Sequence, residues 1–345
     1  MTDADRTTHS ATTSVTSRRD FLQAAVLGAG TLACGLAPAR SAPAAKAGRN
    51  TDTVRLTWGR GGLPALAKTR GDFEKLLARD GIKVQWIGPF PNHAPSLQAV
   101  TGGSADFGFG GSTTPALAAM LAGSPLVFTQ FAIVEPRSTA IIAKDGSGID
   151  RVQDLVGKSV AVNRSGLGEF LLVAALEKHG IDRAKVKFVY LNPPDAGPAF
   201  AQGKIDAWSM WSPGVDIARS EYKAHDIFFE GRDLPFLIDF NSYVTHRRFA
   251  EENPAIVRAV NAAYAAEAGW VGAHPVEAET LNQQDAGYSD AVRDSLIRLK
   301  RRWDVKGVQD AKFIQEFQQA ADWLSERRIL PEKVRVADHL ARLPA

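Results

Sequence analysis

The chain has 345 residues, 45% of them hydrophobic and 23% charged, and a formal net charge of +3. That length exceeds what one hydrophobic core fills, so two domains or lobes are expected. The near balance of charge excludes a nucleic-acid-binding polycation, and past the N-terminal region no apolar run of about 18 residues is present to span a bilayer.

The first segment is polar and rich in Thr and Ser, followed by Ser17-Arg18-Arg19-Asp20-Phe21-Leu22-Gln23 and a mildly apolar Gly/Ala run from Ala24 to Ala37. Adjacent arginines, an apolar pair after one spacer and a weakly hydrophobic stretch resemble a twin-arginine export signal. Residues 1–44 are therefore read as a signal peptide, with small-x-small cleavage candidates at Ala37-Pro38-Ala39 and Ala42-Pro43-Ala44. The expected location of the mature chain is the periplasm. Cys34, the single cysteine, follows Leu32-Ala33 and precedes Gly35. This is a partial lipoprotein-processing signal, with Thr31 where Leu is usual, and lipid anchoring is the lesser reading. Removing the segment takes away four Arg and three Asp, so the net charge falls to +2, and no cysteine remains. Disulfide scaffolds, thiolate zinc sites and cysteine nucleophiles then lack their residues.

The mature chain alternates short β-rich runs with helical ones, the pattern of a parallel sheet covered on both faces. Val54 to Trp58 reads as a strand broken by Gly59, Gly61, Gly62 and Pro64. Helical spacing follows through Leu66, Phe73, Leu76 and Leu77 to Gly81, with Gly71 an interruption. Ile82 to Ile87 is a strand, Leu97 to Val100 a short helix and Ala105 to Phe109 a strand. After a turn at Gly110-Gly111-Ser112-Thr113-Thr114 come a helix from Thr113 to Leu121 and a long buried strand from Leu126 to Val134. The alternation restarts after Pro136 with strand Thr139 to Ala143, a short helix from Val152 to Val156 and strand Ser159 to Asn163. A helix from Leu167 to Lys178 is apolar nearly all round and should be deeply packed. Strand Val186 to Leu191, helix Ala196 to Gln202, and strands Ile205 to Met210 and Asp226 to Phe229 follow. Phe236 to Thr245 is extended, and everything beyond Arg248 reads helical. Two α/β blocks joined by extended runs near Val134 and Phe240 imply two lobes linked by two crossings. The first lobe is 52–134 plus 246–345, and the second is 135–245. In open α/β sheets a ligand lies beyond the carboxyl ends of the strands.

Catalytic constellations are scarce. The six mature histidines, His93, His179, His225, His246, His274 and His339, are isolated and lack the spacing of a zinc helix, so each reads as a surface or helix-end residue. No nucleophile elbow, phosphate loop or dinucleotide fingerprint is present. No catalytic residue, metal or cofactor is assigned. What the loops offer is anion recognition. Asn163-Arg164-Ser165-Gly166 leads from a strand into the buried helix, and Gly110-Gly111-Ser112-Thr113-Thr114 does the same in the first block, where free N–H groups and the dipole favour an anion. Ser112 and Thr113 read equally well as plain N-caps. Arg60 stands in the loop after the first strand. Trp211, beside Ser212-Pro213-Gly214, suits a cleft wall, and Trp208 suits either wall or core.

Tyr190-Leu191-Asn192-Pro193-Pro194-Asp195-Ala196, Ala199-Phe200-Ala201-Gln202-Gly203-Lys204-Ile205-Asp206-Ala207-Trp208 and Trp211-Ser212-Pro213 closely resemble the aliphatic-sulfonate, taurine and nitrate group of ABC-importer substrate-binding proteins. Gly102 to Gly108, Leu155 to Ala161 and Trp323 to Pro331 are similar to further segments of that family. The resemblance implies an α/β type II periplasmic-binding fold of two lobes and two hinge strands, with a helical C-terminal region. It further implies a monomer that captures a small organic anion, an aliphatic sulfonate first, and delivers it to an inner-membrane permease. By position, the implied ligand residues are Arg60, Gly61, Gly62, Ser112, Thr113, Arg164, Ser165, Gly166, Glu169, Asp195 and Trp211. Sulfonate binders usually carry a Ser/Thr-rich stretch ending in His or Asn where this chain has Ser165 to Glu169, and Trp-Asp-Pro or Trp-Ala-Pro where it has Trp211-Ser212-Pro213. Glu169 is thus open to three roles: pairing with Arg164, capping its own helix, or receiving a cationic group of the ligand. The alternative ligands are a taurine-like zwitterion, nitrate or a carboxylate. A thiamine-precursor-type enzyme shares the fold but uses a cysteine-rich iron-binding segment that the mature chain lacks.

Overall fold

A computed structural model of the chain describes residues 48–343, so the export segment and Cys34 lie outside the described residues. The first run comprises β1 (Thr53–Thr57), α1 (Leu63–Arg70), α2 (Asp72–Arg79), β2 (Lys83–Ile87), α3 (His93–Thr101), β3 (Phe107–Ser112), α4 (Thr113–Leu121) and β4 (Leu126–Glu135). The split between α1 and α2 falls at Gly71, whose left-handed φ of 71° ends one helix and starts the next. After residues 136–139 come β5 (Ala140–Lys144), β6 (Ser159–Val162), α5 (Leu167–Lys178), β7 (Lys187–Tyr190), α6 (Pro193–Ala201), β8 (Ala207–Met210), α7 (Gly214–Glu221), β9 (Ala224–Phe229) and α8 (Glu230–Asp233). Residues 234–240 then lead to β10 (Asn241–His246), α9 (Arg247–Glu252), α10 (Pro254–Ala273), α11 (Pro275–Ala286), α12 (Asp290–Leu299), β11 (Arg302–Gly307) and α13 (Ala311–Glu326). Among the described residues no helix is long and apolar enough to cross a membrane.

The strands form two sheets, six-stranded β11-β4-β10-β3-β1-β2 and five-stranded β7-β6-β8-β5-β9. Apart from the edge strand β11, the two share one plan. In each, the strand that first enters the sheet from a crossing, β10 or β5, is antiparallel to both neighbours, while β1, β2 and β3, or β6, β7 and β8, run parallel. The sheets are therefore mixed rather than parallel, because a chain arriving across the hinge enters its sheet from the opposite end.

Three further expectations change. Asn241–His246 pairs with β3 and β4, so the first sheet reclaims the chain at 241 and not at 246. The region after Arg248 is not wholly helical, because β11 pairs antiparallel with β4 along the edge, Trp303 opposite Val134. Gly110 and Gly111 lie in strand β3 rather than in a turn. A Cβ on Gly111 would sit 2.4 Å from His93 Cγ, and one on Gly110 2.8 Å from Tyr243 Cζ, so each glycine admits a ring against the strand.

Helix α5 is buried from Gly168 to Leu176, as its apolar circumference requires. Phe170, Leu171, Leu172 and Leu176 each contribute about 1.5–3 kcal/mol of burial. A Cβ on Gly168 would fall 2.3 Å from Ser209 O, so glycine lets the first turn lie directly on β8. Behind the crossings, Phe313 and Phe317 of α13 pack on Phe131 and Phe240, and Arg327, just past its end, pairs with Glu177 of α5 at 2.5 Å.

Candidate functional site

The strand-end loops of the two sheets face one another. Asn92, whose side chain caps α3, donates from Nδ2 to Oδ1 of Asn192, the N-cap residue of α6, at 2.7 Å. A Cβ on Gly61 would lie 3.8 Å from Pro213 Cδ. Loop 59–62 of the first sheet thus meets the loop Trp211 to Pro213 of the second. Trp211 is half-buried there, whereas Trp208 is fully in the core. Gly62 starts α1 with no side-chain cap, and Pro64 occupies the opening of the helix.

On the first-sheet side, the N-terminus of α4 is already bound. Thr113 donates both its backbone N–H (2.8 Å) and its hydroxyl (2.6 Å) to Oδ1 of Asp239, which arrives from the crossing 234–240. Burial pushes the Asp239 carboxyl upward, opposed by its hydrogen bonds from Thr113. Ser112, the N-cap, makes no side-chain cap bond. Thr114 Oγ1, next in the helix, is buried without a partner among the described residues. His93 is not a surface residue. It is 4% exposed, and burial holds its imidazole down at about 4. Its Nδ1 lies 2.9 Å from the Ser112 carbonyl and must carry the proton, which fixes the neutral tautomer with Nε2 as the lone-pair nitrogen.

Arg60 is engaged by Asp285, whose carboxylate lies 3.4 Å from its guanidinium. Its Nη1 donates to the backbone oxygen of Asp285 at 2.6 Å, at the end of α11.

On the second-sheet side, Glu169 is 6% exposed and receives three groups of the chain: Ser165 N–H (2.7 Å), the Tyr190 hydroxyl (2.8 Å) and Arg183 Nη2 (3.3 Å). The N–H it accepts is that of Ser165, one residue before the N-cap Gly166, and its arginine partner is Arg183, not Arg164. Ser165 takes a left-handed φ of 53° beside it. Asn163 accepts from Gly168 N–H at 3.3 Å and fills the space where a Cβ on Gly166 would stand. Arg164 is exposed and lies over the Tyr190 ring, its Cζ 3.7 Å from the centroid, with no carboxylate in ion-pair range among the described residues. Burial chiefly, then the bond to Glu169, raises the Tyr190 phenol. The stack orients a guanidinium whose donors are left for an anion. Asp195, in the first turn of α6, is exposed at the neighbouring strand end.

Asn92, Arg183 and Asp239 have no part in the sequence reading, and Tyr190 and Asn192 enter it only within the family-like segment Tyr190 to Ala196. The two asparagines carry a readable signal, Asn just before a Pro-containing helix start. Asp239 carries none, since its partner is 126 residues away.

Two sheets of one topology, two crossings and facing strand-end loops define a two-lobed α/β protein of the periplasmic-binding fold. Residues 66–278 match the model of the NMT1/THI5-like family, and the chain belongs to that family. It is 28% identical over 290 residues to an aliphatic sulfonates-binding protein of Escherichia coli (strain K12), across 84% of this chain and 88% of that one. The alkanesulfonate-binding protein SsuA from Xanthomonas axonopodis pv. citri, solved bound to MOPS, superposes with a TM-score of 0.77 at 26% identity, covering 85% of this chain and 99% of that one. Fold alone does not separate binder from enzyme, because the desulfurization enzyme DSZB shares it at a TM-score of 0.61 and 15% identity, over 84% of this chain and 96% of that one.

Proposed function

We propose that the chain is the solute-binding component of an ABC importer, capturing a small organic anion, an aliphatic sulfonate first, between its lobes and handing it to an inner-membrane permease. The observation that carries this reading is Arg164: a cation held over Tyr190, without a carboxylate partner among the described residues, at a strand end that faces the other lobe. Trp211 supplies an apolar wall and Thr114 a buried hydroxyl from the opposite side. The names of the sulfonate-binding relatives agree with this chemistry. In this reading the protein works as a monomer, by binding without turnover, in the periplasm after twin-arginine export directed by residues 1–44. Its lobes close about 136–139 and 234–240. Calorimetry with ethanesulfonate, taurine, nitrate and acetate tests it: ethanesulfonate is expected to give the strongest binding, and no heat with any anion overturns the reading. Exposed Asp195 beside Arg164's strand favours one second reading, a zwitterion such as taurine with its ammonium on Asp195.

A further inference from the structure

The hairpin of α11 and α12 touches both lobes. On the first-lobe side α11 packs against α1 and α10. Arg301 anchors it by donating to the buried Glu279 at 2.9 and 2.8 Å, and Arg60 reaches Asp285 at its end. On the second-lobe side, Tyr288, Val292 and Leu296 form a small apolar cluster separate from the main cores, and Ile217 of α7 packs against it. Helix α7 begins at the loop Trp211 to Pro213 and is braced to it by the Ser212 hydroxyl, which donates to Asp216 at 2.5 Å. The hairpin therefore connects loop 59–62 of one lobe to loop 211–213 of the other.

We propose that the seating of Ile217 on α12 is a latch that holds the lobes closed and sets ligand affinity without touching the ligand. The inference rests on the reading of the chain as a two-lobed binder. Opening about 136–139 and 234–240 separates the facing loops and lifts Ile217 off Val292 and Leu296, both fully buried, exposing apolar surface to water. A ligand that binds only the closed form has an apparent affinity proportional to the closed fraction, so weakening the latch weakens binding by the same factor. Ile217 is then a positioning residue, acting through Asp216 and the Trp211 loop.

The test uses Ile217→Asp and the milder Ile217→Ala in the exported protein, measured by calorimetry with ethanesulfonate and by small-angle scattering without ligand. The expected result is a loss of affinity of about tenfold or more for the aspartate. The loss is smaller for the alanine, and the radius of the unliganded aspartate variant is larger, with thermal midpoints close to the parent because Ile217 is only partly buried. Unchanged affinity and unchanged radius in both variants overturn the latch. If the parent itself gives no heat with ethanesulfonate, taurine, nitrate or acetate, the functional reading fails while the scattering arm still decides the latch.

Discussion

Each lobe brings the N-terminus of a buried helix to the facing loops, and each holds a carboxylate of the chain beside that end, but from very different distances. At α5 the carboxylate is Glu169, four residues from the Ser165 N–H it binds. At α4 it is Asp239, 126 residues from Thr113 and part of the segment that carries the chain back between sheets. A local carboxylate keeps its loop in shape whatever the lobes do. A carboxylate in the crossing moves with the crossing, so the first turn of α4 is tied to hinge geometry while that of α5 is not.

The largest expected effect separates the lobes by acid. Burial holds the His93 imidazole down at about 4 in the folded first lobe, against about 6.5 in the unfolded chain. As pH falls through that window the unfolded chain binds a proton that the folded lobe refuses, and the stability lost approaches about 3 kcal/mol. The histidines His179 and His225 of the second lobe are exposed or half-buried. Hydrogen exchange at pH 7 and pH 4.5 should show the first lobe opening first, with His93→Gln flattening the pH dependence; a second lobe that opens first breaks the comparison. Next, Arg164→Ala should weaken ethanesulfonate binding by more than about tenfold, the loss of one charge-assisted contact. Its melting temperature should be nearly that of the parent, because the side chain is exposed; equal affinity by calorimetry would return Arg164 to the surface. Asp239→Ala and Glu169→Ala should each cost about 2 kcal/mol by leaving donors unpaired, and only Asp239→Ala should change the solution scattering radius. Equal radii would show that α4 is as self-contained as α5. Smallest of all, Asp195→Ala should stay within about 0.5 kcal/mol of parental stability and lower the affinity for taurine alone; loss of ethanesulfonate affinity as well would mean that Asp195 shapes the site rather than serving an ammonium.

Much of the framework was legible. The full apolar girth of Leu167 to Leu176, the stops at Gly81, Gly123 and Gly180 and the paired α/β blocks follow from periodicity and glycine placement. Strand β11 was missed although Arg302-Trp303-Asp304-Val305-Lys306 alternates polar and apolar, because one edge strand among helices buries only Trp303 fully. The glycines at 110 and 111 read as a turn, whereas they are small because rings lie on both sides of the strand. Site residues fared by the range of their partners. Ser165 is set by Glu169, four residues on, but the partner of Arg60 is 225 residues on and that of Thr113 is 126. No local pattern reports such pairs.

Strand order also dictates a timetable for synthesis. In the first sheet β4 lies between β10 and β11, both made later, so that sheet stays unfinished until the ribosome has passed Gly307. The five-stranded sheet is drawn from the continuous stretch 140–229 and can assemble as soon as it emerges. All five strands of the second sheet are therefore present in the nascent chain while the first sheet still waits with an open edge at β3 and β4, and a truncation ending before Asn241 should retain the smaller sheet alone, seen as protected amides confined to 140–229.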